Sequence, residues 1–134
     1  MKLAFAGLRH GHIFGLYDAA MKHPDVTIAG AWEEDEAARA EAKGRMDAPF
    51  YGSFEELLAD ETVDAVAVGD YYGIRRDRIV RALRAGRDVI CDKPLCVSQR
   101  ELDEIEALSL EKHLRVQCML DLRYDPAVNL ARRL

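Results

Sequence analysis

Short apolar runs alternate along this chain with segments whose apolar residues recur every three or four positions, the patterns of buried strands and amphipathic helices. Residues 2–7 form a first strand-like run that ends on Gly7. Residues 13–22 place Ile13, Leu16, Ala19 and Ala20 at helical spacing and stop before Pro24. A second strand is predicted over 26–32, then an acidic, alanine-rich helix over 34–43 closed by Gly44. Phe50 and Tyr51 predict a short third strand. The fourth covers 63–68, the fifth 89–91 and the sixth 114–120, with a helix over 74–85 closed by Gly86. Helices over 53–59 and 98–112 each open on a capping box, Ser53 with Glu56 and Ser98 with Glu101. Pro126 suits the first turn of a last helix that continues to Leu134.

Apolar strands separated by helices predict an α/β fold, a parallel sheet with helices on both faces. Right-handed crossovers then make it doubly wound. Ligands on such sheets bind beyond the carboxyl ends of the strands, where the strand order reverses. That rule singles out residues 7–12, 33–34, 69–75 and 91–95.

At 134 residues the chain suffices for one domain and not for two of ordinary size. A net charge of −5 argues against nucleic acid, which needs surplus Lys and Arg. No apolar run reaches the roughly 20 residues of a membrane span. The apolar N-terminus is too short for a signal peptide and is interrupted at His10 to His12. Three cysteines without C-x-x-C spacing indicate neither a disulfide framework nor a zinc site, and fit a reducing cytoplasm.

The first βα turn reads Gly7-Leu-Arg-His-Gly11-His12. In a dinucleotide fold this turn brings backbone amides against the pyrophosphate at a helix N-terminus. The second and third glycines of G-x-G-x-x-G are replaced by Arg9 and His12. Arg9, His10 and His12 then become candidates to contact phosphate through their side chains. The alternative is a tight turn with solvated polar groups. His10 and His12 show no third ligand in the sequence, so no metal is expected. Glu33 ends the second strand, 26 residues past Gly7, where an acid accepts hydrogen bonds from the adenosine ribose and disfavours a 2′-phosphate. NAD is therefore expected ahead of NADP. Glu34 suits either that role or the start of the next helix.

The segment Ala85-Gly-Arg-Asp-Val-Ile-Cys-Asp92-Lys93-Pro94-Leu95 is the most specific of the chain. It resembles the "A-G-k-h-V-l-c-E-K-P-l" strand of the glucose–fructose oxidoreductase, inositol dehydrogenase and rhizopine-catabolism (Gfo/Idh/MocA) family, with Asp92 in place of the glutamate. Residues 51–66 resemble that family's third helix and fourth strand, and Leu122-Arg123-Tyr124-Asp125-Pro126 its "R-F-x-P" segment. The resemblance implies a Rossmann-type domain over residues 1–120 that binds NAD or NADP. It further implies that residues 121–134 begin a connection to a substrate domain absent from this chain, where oligomer contacts would also lie. The implied activity is hydride transfer between the nicotinamide and a sugar, polyol or related hydroxyl or keto compound.

By the same resemblance Lys93 is the catalytic lysine, touching nicotinamide ribose and substrate. A partly buried lysine at a strand tip can bond the reacting hydroxyl and share in proton transfer. Pro94 fixes the backbone beside it, and Arg123 joins the cofactor contacts. The family's "T-P-N-x-x-H" loop under the cofactor corresponds to Asp70-Tyr71-Tyr72-Gly73-Ile74-Arg75, without its proline and histidine. Asp70 and Tyr71 take its place among the cofactor candidates: Tyr71 or Tyr72 either stacks on nicotinamide or adenine or serves as a packing residue, and Asp70, electrostatically awkward beside a pyrophosphate, is expected to point elsewhere or cap the helix. His23 and His113 match no catalytic position. The isolated chain is expected to bind cofactor and to turn over little. The competing expectation is a non-catalytic dinucleotide-sensing or ligand-binding module using the same crevice. A flavodoxin-like signalling domain would leave the Asp92-Lys93-Pro94 segment unexplained.

Overall fold

Parallel strands β1 (Lys2–Ala6), β2 (Thr27–Trp32), β3 (Ala65–Val68), β4 (Asp88–Cys91) and β5 (Val116–Cys118) make one sheet in the computed structural model, which describes residues 1–132. Their order is β2-β1-β3-β4-β5. The chain runs outward from β1 to β2, then returns to the opposite side of β1 as β3. The order therefore reverses between β1 and β3, the place where a doubly wound sheet opens its crevice.

The sequence predicts six strands, and this sheet has five. Phe50 makes only an isolated parallel bridge to Ala31. Pro49 has no N–H to donate, so the segment is held by Ala31 N to Pro49 O and Tyr51 N to Ala31 O, both 2.9 Å. It still lies on the outer side of β2, where the third strand of such a sheet belongs. The strand expected over 114–120 shortens to β5. His113 turns into the left-handed region at φ 55°, and Leu114 N is tied back to Ser109 O.

Alternation along the central strands assigns the two layers. Leu3 and Phe5 pack with Ile13, Phe14 and Tyr17 of α1 (His12–Lys22) and Ala42 of α2 (Glu36–Lys43). Ala4 and Ala6 join the opposite layer, with Leu57 of α3 (Phe54–Ala59), Ile79 and Leu83 of α4 (Tyr72–Arg84) and Ile105 of α5 (Gln99–Lys112). Burial on both faces explains why these strands read as unbroken apolar runs. Each large apolar side chain so buried contributes roughly 1.5–3 kcal/mol.

The chain closes with a 3-10 turn (Asp121–Tyr124) and α6 (Pro126–Ala131), with Pro126 in its first turn as expected. Arg133 and Leu134, assigned by sequence to that helix, lie outside the described residues. No described helix is long and apolar enough to cross a membrane.

Candidate dinucleotide site

The β1–α1 turn is shaped by two glycines. Gly7 takes φ +73°, and a Cβ there would stand 2.5 Å from the Cβ of Asp70. Gly69, just after β3, lies so close that its own Cβ would meet Ile13 Cβ at 2.6 Å and Gly7 O at 2.8 Å. The close helix–strand approach that the motif's third glycine normally permits is thus provided by Gly69. Sequence reasoning missed it, because the residue belongs to another strand. Helix α1 opens on Gly11 with no side-chain cap and no acidic residue in its first turn. Among the described residues none accepts a hydrogen bond from the backbone N–H of Arg9, His10, Gly11 or His12. Beyond its chain neighbours, no atom lies within 4 Å of the place a Gly11 Cβ would take. Backbone donors at the positive end of a helix dipole fit a dinucleotide diphosphate.

Beside this cradle lies a knot of charge. Arg9 donates through Nε to Asp70 Oδ1 at 3.0 Å and through Nη2 to Glu34 Oε1 at 2.7 Å, with Glu33 Oε1 3.4 Å away. Its guanidinium lies over the Tyr71 ring at 4.3 Å. Arg78 closes the group, 2.9 Å from Glu34 and 3.4 Å from Asp70. Burial opposes charge on Arg9, yet the bond to Glu34 and the charges of Asp70 and Glu33 outweigh it and raise its pKa. Burial likewise opposes charge on Glu34, while Arg9 and Arg78 hold its carboxyl below the ordinary 4.5.

This placement corrects two expectations. Glu33 does not present its carboxylate to the crevice: it is fully buried, accepting from Leu8 N at 2.5 Å and Asp35 N at 2.9 Å. Arg9 turns to carboxylates rather than outward. One face of the exposed Tyr71 ring, a candidate to stack on the cofactor, carries Arg9. Asp70 is fully buried, accepting from Tyr71 N as well as Arg9.

On the other side of the reversal, Asp92 follows β4 and is fully buried. Its carboxylate accepts from Lys93 N at 2.7 Å and from Arg75 Nη2 at 3.1 Å. Burial works against the charged form, but these partners keep the Asp92 carboxyl below its ordinary 3.8. Arg75, also fully buried, spans from Asp70 O to Asp92 O and Pro94 O and ties α4 to both loops. No local pattern announces this, since an arginine on a helix normally reads as surface. Asp92 also meets both turn histidines, with Oδ2 2.5 Å from His10 Nδ1 and Oδ1 3.3 Å from His12 Nδ1. Contrary to the expectation from sequence, the two histidines therefore have a third candidate ligand.

Lys93 is exposed, not partly buried, and its Nζ lies 3.2 Å from His12 Nδ1. The Lys93–Pro94 peptide is cis. Two cavities lie along the rim. One of about 390 Å³ is lined by Arg9, His10, Tyr71, Tyr72 and Gly73. The other, of about 530 Å³, brings Lys93 together with Arg123, Leu120, Leu122 and Val128. The candidate residues thus gather around one rim, split between its two ends. His23 and His113 are exposed and away from it.

Known proteins are similar to this chain in sequence and in fold. The chain is 32% identical over 88 residues to trans-1,2-dihydrobenzene-1,2-diol dehydrogenase of Xenopus tropicalis, a match covering 66% of this chain and 26% of that protein. It is 38% identical over 82 residues to D-xylose 1-dehydrogenase (NADP(+)) 2 of Haloferax volcanii, covering 61% and 25%. Among solved structures, GenD2 from gentamicin A biosynthesis, in complex with NAD, superposes with a TM-score of 0.87 at 22% identity, over 99% of this chain and 38% of that one. Myo-inositol 2-dehydrogenase of Lactobacillus plantarum gives 0.82 at 22%, over 99% and 40%. At that identity the structural matches establish the fold. The chain spans about a quarter of the length of these curated relatives. The model of the Gfo/Idh/MocA oxidoreductase family, NAD-binding Rossmann fold, matches residues 1–120, and the chain belongs to that family.

Proposed function

We propose that this chain holds a nicotinamide dinucleotide along its C-terminal rim and that, in the whole protein, hydride passes between the nicotinamide and a hydroxyl- or keto-bearing carbon of a sugar or polyol. The observation that carries this is the row of unpartnered amides from Arg9 to His12 at the uncapped start of α1, placed where the strand order reverses. The diphosphate lies on those amides and the adenosine extends toward Glu33. The pyridine ring lies toward Lys93, whose exposed amine bonds the reacting hydroxyl. Residues 1–120 serve as the nucleotide domain, and the stretch from 121 leads toward the part that completes the substrate pocket. The dehydrogenases of diols, xylose and inositol among the relatives support this substrate class. Three free cysteines suit a reducing compartment such as the cytoplasm.

Arg9 then has a defined part. Glu33 shapes this end of the crevice from beneath, bonded to Leu8 N and Asp35 N, and Arg9, which lies beside it, is the nearest side-chain cation for the diphosphate. Nicotinamide fluorescence during titration with NADH and NADPH tests the reading. Saturable binding is expected, with NADH preferred and Glu33→Gln weakening it about tenfold. Absence of saturable binding by either dinucleotide would end the proposal.

The same Arg9 network favours a second reading, a sensing module without chemistry, because an arginine held by Asp70 and Glu34 at the crevice edge can exchange those carboxylates for a bound diphosphate. Lys93→Met in the whole protein separates the two. Loss of turnover with NADH binding kept marks the oxidoreductase; absence of turnover in the unaltered whole protein marks the sensor.

A further inference from the structure

We propose that His10, His12 and Asp92 form a binding site for a divalent metal ion of the zinc class, at the rim. One ligand atom from each residue lies within 4.8 Å of the others. The Nδ1 atoms of the two imidazoles converge on separate oxygens of one carboxylate, at 2.5 and 3.3 Å. His10 Nδ1 is shut off from solvent and, although so near Asp92 Oδ2, is out of line for a hydrogen bond and has no partner among the described residues. A buried ring nitrogen pressed against a carboxylate oxygen without a bonding proton is costly. A cation shared by the two relieves it.

The donor set suits the ion. Two imidazole nitrogens and one carboxylate oxygen are a zinc ligand set of the kind that leaves a fourth position open, with bonds of about 2.0–2.2 Å. Asp92 is oriented as a metal-bound carboxylate is, by outer bonds: Arg75 Nη2 holds one oxygen and Lys93 N the other. Its place in the fold explains why no sequence motif announces it. The histidines come from the turn after β1 and the aspartate from the end of β4, with β3 between them.

Two neighbours oppose the ion, and they sharpen the test. The Arg75 guanidinium and the Lys93 ammonium, 3.2 Å from His12 Nδ1, are both positive. Lys93 lies where it would contend with the ion for the His12 ring nitrogen. The inference stands apart from the nucleotide reading, because it rests on ligand geometry and is measured without nucleotide.

The experiment uses the purified chain, stripped with chelator. Co²⁺ is titrated while its visible d–d absorption is followed, and Zn²⁺ displacement is measured by calorimetry. One equivalent is expected. His12→Ala and Asp92→Asn should each lower affinity by at least ~10-fold, since even outer partners of a metal ligand cost that much. Lys93→Met should bind tighter, while His23→Ala and His113→Ala should bind as the parent does. His12 is exposed, so its replacement leaves the fold intact, and a circular-dichroism melt checks this. Lack of a cobalt band, indifference to His12→Ala, dependence on His23 or His113, or Lys93→Met binding no tighter than the parent would each overturn the site.

Discussion

The helices of this chain open in two ways. Those at α2, α3, α5 and α6 begin on a side chain that accepts from first-turn amides: Asp35 from Ala38 N, Ser53 from Glu56 N, Ser98 from Glu101 N, and Asp125 from Ala127 N and Val128 N. Those at α1 and α4 begin on Gly11 and Tyr71, with no side-chain bond and no acidic residue in the first turn. The uncapped pair follows β1 and β3, the two strands that flank the reversal. A cap typically contributes about 1 kcal/mol, and the first amides of every helix lack partners within the helix itself. Stability alone would favour caps at all of them. Their omission at the crevice leaves donors aimed at whatever binds there.

Capping α1 is the strongest way to break this contrast. Gly11 has right-handed backbone angles, φ −60° and ψ −23°, and empty space around it, so an aspartate fits. In Gly11→Asp a carboxylate would sit where the diphosphate belongs. Like charges a few ångströms apart cost about 1–4 kcal/mol in surroundings between water and protein surface. NADH affinity should fall at least ~10-fold by fluorescence titration, while the melting temperature does not fall. Unchanged NADH binding would show that α1 is uncapped for some reason other than a ligand. Uncapping α5 is the complementary experiment. Ser98→Ala removes the acceptor of Glu101 N and should lower stability by about 1 kcal/mol in urea unfolding, with NADH binding unaltered. A Ser98→Ala protein that lost affinity rather than stability would erase the distinction between the two sets of helices.

The capped helices were legible in the sequence because their signals are local. Ser53 with Glu56 and Ser98 with Glu101 stand three apart, and both pairs form. The glutamates reach one residue further back than a strict capping box requires, to Gly52 N and Val97 N. Gly7 and the Lys93 segment could also be read, since each belongs to one turn. The rest of the rim depends on which strands are neighbours. Asp92 meets His12 across 80 positions of sequence, and Gly69 packs on Ile13 only because β3 pairs with β1. Glu33 sits at the strand tip as predicted, but the direction of its carboxylate follows from two amides and Arg9, which no strand pattern encodes. Arg75 and Arg78 are buried by partners that a helical periodicity does not see.

The smallest expected effect concerns what the carboxyl groups at the rim are bonded to. At the capped helix starts, side-chain oxygens face amides, whereas Glu34 faces Arg9 at 2.7 Å and Arg78 at 2.9 Å. These arginines keep its carboxyl below the ordinary 4.5 against the opposing pull of burial. A carboxyl lowered on folding stabilises fully above its unfolded value, and that stabilisation is lost as pH falls through the folded one. The Glu34 side chain is 46% exposed, so solvent screening limits its contribution to less than about 1 kcal/mol. Urea midpoints for the parent and Glu34→Gln, compared from about pH 7 to about pH 3, should differ by a constant amount above 4.5 and converge below it. A gap that widened on acidification, or stayed constant through that range, would mean that the arginines do not hold Glu34 ionised. The charge knot would then not be what sets this edge of the crevice apart from the capped helices.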